Sequence, residues 1–166
     1  MKKAWNIISS ALVGLVVLCA IFLVGSRLLG FRVFTVLSGS MEPTFSVGDL
    51  LYVQEVDPAE IKVGEPITFV MNEDLVVATH RVVSIDEKKE HFYTKGDAND
   101  TADASPVHFK NVIGVAKFSI PLLGYISSFI QTPPGSYIAI GVGILLLFLL
   151  FLPDMGKKKK EELNEE

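Results

Sequence analysis

Three stretches of this sequence carry residues able to do nucleophilic or acid–base chemistry. Ser38-Gly39-Ser40-Met41-Glu42-Pro43-Thr44 sets a serine in a tight turn bounded by glycine and proline. Ala78-Thr79-His80-Arg81-Val82-Val83 places His80, one of three histidines in the chain, at the seam of two β-branched runs, where a polar pair is costly if buried without partners. Lys95 to Asp103 is a glycine-containing loop with three acids, Asp97, Asp100 and Asp103. Singly, each has a plain structural explanation: a capped turn, a satisfied histidine, a solvated loop. Calcium fits the third stretch poorly, because Asp97-Ala98-Asn99-Asp100 lacks the EF-hand glycine and a glutamate at the loop's end. Together they supply a nucleophile, a general base and an acid to orient the base, in the chain order Ser, His, Asp. Geometry rather than chain order decides whether such groups cooperate.

The combination of Ser-Gly-Ser-Met-Glu-Pro-Thr, His-Arg-Val-Val and Gly-Asp-Ala-Asn-Asp, with a further aspartate six residues after the first, resembles the type I signal peptidases. The histidine resembles the ER-type branch, shared with archaeal and SipW-like Gram-positive enzymes, whereas the common bacterial branch has lysine there. The likeness runs from about Val33 to Gly124. It implies Ser40 as nucleophile, His80 as general base, Asp103 as the acid that orients His80, and Asp97 as a second, supporting aspartate. Ser38 matches a hydroxyl that joins the Ser40 amide in binding the oxyanion. Arg81 reads as structural; Asp100, His91 and His108 match nothing, and the two histidines are expected to be exposed. The resemblance further implies no cofactor and no metal. Its substrates would be signal-peptide-bearing preproteins cut after small residues in Ala-x-Ala fashion, with association to the secretion translocon. Two other readings stand beside it: a non-catalytic, membrane-anchored β-domain scaffold, and a serine hydrolase dedicated to another membrane substrate.

The elements that must position these residues follow from the hydropathy pattern. Of 166 residues 49% are hydrophobic, and mean hydropathy is +0.42, too apolar for an average soluble domain. No charge occurs in residues 4–26, nor in residues 118–153, and each block is long enough to cross a bilayer. Residues 7–24 read as a retained anchor: the run exceeds an ordinary signal-peptide core, and Val24-Gly25-Ser26-Arg27 offers no Ala-x-Ala-like exit. Pro133-Pro134 divides the second block, leaving residues 136–152 as a second span and residues 118–130 as an apolar segment suited to the membrane interface. Lys157 to Lys160 beyond the second span predict a cytoplasmic C-terminus, and two spans put both termini on that side.

Between the blocks, residues 27–117 hold nine Lys/Arg and fourteen Asp/Glu, a net −5, which gives no basic face and excludes nucleic acid as partner. The single cysteine, Cys19, lies inside the first block, so neither a disulfide framework nor a cysteine zinc site can form. Short β-branched or aromatic runs at residues 33–36, 50–53, 67–70, 75–78, 82–85, 91–94 and 112–115, separated by turn formers, predict strands, and no helix of ordinary length fits among them.

The expected fold is mainly β: a small β-barrel-like catalytic domain on the outer membrane face with one N-terminal and one C-terminal transmembrane helix. The chain divides into a cytoplasmic end and helix at 1–26, the extracytoplasmic β-rich domain at 27–131, a second helix at 132–153 and a charged cytoplasmic tail at 154–166. With Cys19 removed, a membrane-impermeant thiol reagent applied to intact cells should label a cysteine placed at Glu87 and spare one placed at Glu162. Labelling at Glu162 would contradict the two-span topology.

Overall fold

A computed structural model describes residues 25–71 and 76–146 throughout, together with residues 7, 10–15, 18, 21 and 148. Seven strands form one sheet: β1 (Phe31–Thr35), β2 (Leu50–Gln54), β3 (Pro66–Val70), β4 (Val77–Asp86), β5 (His91–Lys95), β6 (Val107–His108) and β7 (Val112–Ile120). Their spatial order is β1-β2-β7-β3-β4-β5-β6, and every pairing is antiparallel. The sheet is an open, curled half-barrel, in keeping with the expected mainly-β domain. β7 sits between β2 and β3, and both of its ladders carry a register shift, at Tyr52/Val53 and at Thr68/Phe69. Such bulges bend a strand and raise its twist, which a curled sheet requires.

Two packed clusters hold the sheet. Ile61, Ile67, Phe69, Val82, Phe92, Val107 and Val115 form one; Met41, Phe45, Leu51, Val53 and Ala116 form the other. The second cluster matters most for the site, because Met41 and Phe45 come from the loop that carries Ser40. That loop is a long excursion between β1 and β2. Its neck is closed by Val36, which donates to Asp49 O (3.0 Å) and accepts from Gly48 N (2.9 Å), extending the β1–β2 ladder beyond the Thr35–Leu50 pair. Asp49 Oδ2 accepts from the Ser46 amide and from Ser119 Oγ on β7, fastening the returning arm to the sheet. Gly48 turns the chain at φ +87°, a conformation open to glycine, and leaves the room into which the Tyr125 ring packs.

Four of the expected runs lie within β2, β3, β5 and β7, and a fifth, 33–36, overlaps β1 and runs one residue past it. The other two overlap one ten-residue strand, β4: residues 77–78 of the run 75–78 and the whole of 82–85 belong to it, residue 76 precedes it and residue 75 lies outside the described residues. Nothing between them ends a strand: Thr79-His80-Arg81 contains neither glycine nor proline, and each polar side chain finds a partner. Thr79 Oγ1 lies 2.8 Å from Thr68 Oγ1 on β3, which explains how Thr68 is fully buried. β6 had no signal of its own, being two residues long. The expectation that His91 and His108 are exposed is corrected: they are partly buried and meet across the β5–β6 pair with ring centroids 5.3 Å apart.

The apolar segment 118–130 divides between two elements. Phe118 belongs to β7 and stacks on Tyr52 at 4.7 Å. Leu123–Gln131 is a helix, α1, which corrects the reading of no ordinary helix in this region. Pro121 precedes it and Pro133-Pro134 follow, so proline brackets a stretch without strand-like alternation. A second helix, α2, is Gly135–Leu146. Ser26–Ser128 form one compact unit, while Met1–Gly25 with Phe129–Glu166 form another. The two expected transmembrane helices are not supported as single helices. Among the described residues none is long and apolar enough to cross a membrane, and α1 and α2 reach that mark only when counted together across the break between them. Much of 7–24, the end of 136–152 and the whole tail 154–166 lie outside the described residues.

Candidate active site

The site is assembled from one loop, one strand and a second loop. Ser40 lies in a turn closed by bonds from Glu42 N to Gly39 O and from Phe45 N to Met41 O, both 3.0 Å. Met41 and Phe45, 3% and 6% exposed, root this turn in the core, so the serine that precedes them has little freedom to shift. The loop after β5 presses on the same turn: Ala98 N donates to Ser40 O at 3.0 Å. Gly96 permits that approach, since a Cβ there would sit 2.5 Å from Ser40 O.

His80 and Arg81 are successive residues of β4, so their side chains leave the strand on opposite faces. Each meets a different aspartate of the 96–103 loop. His80, 8% exposed, has Nδ1 2.6 Å from Asp103 Oδ2. A carboxylate oxygen accepts, so in the neutral ring Nδ1 carries the hydrogen and Nε2 has the lone pair that a general base needs. Thr94 Oγ1 donates to the same Oδ2 at 2.7 Å, and the Asp103 amide donates to Thr94 O at 2.8 Å. Phe69 stands edge-on to the imidazole at 6.2 Å.

Arg81 makes a fork on Asp97, with Nε to Oδ1 at 2.7 Å and Nη2 to Oδ2 at 2.6 Å. Its Nη1 donates to Gly64 O and its Nη2 to Thr44 Oγ1, while Thr44 Oγ1 donates to Asp97 Oδ2 at 2.5 Å. Arg81 therefore ties the serine loop, the aspartate loop and the turn before β3 to one side chain. The Arg81 hydrogen bonds hold the Asp97 carboxyl below the usual carboxylate range; the Thr44 hydroxyl adds to this and partial burial opposes it. The same pair raises Arg81 further above its already high value.

Ser38, Ser40, His80 and Asn99 line one cleft of about 560 Å³, whose remaining wall is largely apolar, including Phe34, Val36, Met41, Leu51 and Ala78. Ser38 Oγ is 3.4 Å from Ser40 Oγ. The structure thus gathers Ser38, Ser40, His80 and Asp103 in one region, and pairs Asp97 with Arg81 behind them. Asp100 makes no part of these contacts. Among the described residues no group of three or more His, Cys, Asp or Glu side chains is placed to hold a metal ion. Sequence reasoning missed Thr44, Thr94 and Gly96, whose parts depend on through-space contacts. It left Arg81 as merely structural, although strand alternation next to His80 already implied a second partner on the other face.

Ser40 and His80 thus share one largely apolar cleft, with Asp103 bonded to the His80 ring. No family model matches the chain. It is 37% identical over 122 residues to signal peptidase I W of Bacillus subtilis (strain 168), covering 68% of this chain and 64% of that protein. It is 33% identical over 112 residues to the signal peptidase complex catalytic subunit SEC11C of Homo sapiens (61% and 58%), and 36% identical over 105 residues to the catalytic subunit sec11 of Dictyostelium discoideum (57% and 58%). The chain thus spans about 58–64% of the length of these relatives. The resemblance seen in the motifs is shown by these relatives: the chain is similar to signal peptidases of the W and SEC11 kind.

The Arg81–Asp97 clamp has a consequence for acid stability. A carboxylate whose folded-state value is depressed stabilises the fold at pH above its unfolded value, about 3.9, and loses that contribution as pH falls through the folded value. Asp97→Asn should therefore lower stability near neutrality by about 1.5–3 kcal/mol, the range for hydrogen bonds to charged groups, and the gap to wild type should narrow below pH about 4. Thermal unfolding followed between pH 2 and 7 checks this; a gap independent of pH would contradict it.

Proposed function

We propose that this chain is a membrane-bound serine endopeptidase that removes N-terminal signal peptides from exported preproteins. The observation that carries the reading is the 2.6 Å contact of Asp103 with Nδ1 of His80, a residue that lines the same cleft as Ser40. Ser40 Oγ attacks the scissile carbonyl while His80 Nε2 takes its proton. Asp103 fixes the imidazole's tautomer and stabilises the imidazolium that forms. The Ser40 amide and Ser38 Oγ stabilise the oxyanion, and a donor of this kind is worth about 10² to 10³ in kcat. The imidazolium then protonates the leaving amine, and water, deprotonated by the same Nε2, hydrolyses the acyl-enzyme and frees Ser40. Asp97 acts at one remove by holding Arg81 and Thr44, and with them the two loops.

The apolar cleft suits an extended chain with small side chains beside the cut, as in Ala-x-Ala. The charge-free runs at 7–24 and 136–152 are the basis for two membrane spans with the 27–131 domain outside, between cytoplasmic ends. An enzyme anchored beside its substrate's own apolar segment meets it at high effective concentration. The relatives named signal peptidase complex catalytic subunits support preproteins as substrates.

Detergent-solubilised protein incubated with a preprotein tests the reading. Ser40→Ala and His80→Ala should each cut cleavage by about 10⁴-fold or more, and Asp103→Asn by about 10⁴-fold through the wrong tautomer. Asp97→Asn should cost less. Cleavage by Ser40→Ala at the wild-type rate would remove the nucleophile; a scaffold or a hydrolase of other substrates would leave the preprotein uncut by wild type.

A further inference from the structure

The acid that orients His80 is itself held by a group outside the Ser, His and Asp set. Asp103 lies in a loop rather than on a strand, so no ladder fixes its carboxylate. Thr94, on β5, grips the residue twice: its carbonyl accepts the Asp103 amide at 2.8 Å, and its hydroxyl donates to Oδ2 at 2.7 Å. That oxygen is the one 2.6 Å from His80 Nδ1. Thr94 is 1% exposed, and its strand neighbour across the ladder is Val82, two residues beyond His80. Water has little access on the Thr94 side, while the Asp103 side chain is 20% exposed, and a carboxylate free to turn would offer Oδ2 at varying angles to the imidazole.

We propose that Thr94 is a positioning residue of this site, whose hydroxyl fixes the Asp103 oxygen that orients His80. Thr94 touches neither substrate nor the attacking oxygen, so its effect falls on kcat and not on substrate binding. The proposal rests on the serine endopeptidase reading, and the experiment separates the two.

Cleavage of a preprotein by the full-length, detergent-solubilised chain is measured for wild type, Ser40→Ala, Thr94→Val and Thr94→Ser, with thermal unfolding as the control for folding. Thr94→Val keeps shape and strand preference but removes the donor; it should lower kcat about tenfold, the scale of one hydrogen bond to a charged group, with KM within about twofold of wild type. Thr94→Ser restores the donor and should keep kcat within about threefold of wild type, although it loses a packed methyl. A role in packing alone predicts the reverse order, serine impaired and valine active, and that result would overturn the proposal, as would wild-type kcat in Thr94→Val. Should the valine variant not fold, Thr94→Ala removes the same donor without added bulk and is expected to show the same tenfold loss; wild-type kcat there would equally overturn it. An active Ser40→Ala would instead remove the peptidase reading itself, whereas an inactive Ser40→Ala beside a fully active Thr94→Val removes only the part given to Thr94.

Discussion

His80 and Arg81 are neighbours on one strand, and each takes an aspartate from the same loop. Because successive side chains leave a strand on opposite faces, the 96–103 loop must reach around to serve both. Its path is thereby fixed at two points six residues apart. The same loop carries Gly96 and Ala98, which lie against the Ser40 carbonyl. The position of Ser40 relative to His80 thus follows from how one loop closes on one strand.

The two aspartates do different physical work. Asp97 and Arg81 form a bidentate, charge-assisted pair, the stronger kind of hydrogen bond, and recruit Thr44 and the Gly64 carbonyl. This cluster joins three chain segments without using any group that the proposed chemistry must move. Asp103, by contrast, meets a histidine that in the proposed mechanism changes protonation state during each turnover, so that contact is ill suited to be the main anchor of the loop. Assigning anchoring to one carboxylate and orientation to the other lets the imidazole gain and lose its proton while the scaffold stays in place. The serine side is held independently, by burial of Met41 and Phe45 and by the closed neck at Val36 and Asp49.

Much of this was legible in the sequence, for identifiable reasons. The strands with β-branched or aromatic residues between clear turn formers, such as 50–53 and 67–70, appear close to where the pattern put them. β4 was read as two strands because Thr79-His80-Arg81 looked like a polar interruption; the partners that make it tolerable, Thr68, Asp103 and Asp97, are distant in sequence. β6 is too short to show a period, and α1 falls in 118–130, whose pattern marks only an apolar segment suited to the membrane interface. At the site, Ser40, His80 and the two aspartates carry distinctive residue types in distinctive spacing. Thr44 and Thr94 do not, since a threonine's hydrogen-bond partner is decided by the fold alone.

The central claim is that His80, held by Asp103, activates Ser40. A serine-reactive phosphonate offered to the detergent-solubilised protein, followed by mass spectrometry of the digested chain, tests it without any assumption about substrate. The account predicts a single phosphonyl adduct, on Ser40, formed by wild type and lost in His80→Ala. An adduct on another residue, or equal modification of Ser40 in the absence of His80, would contradict it.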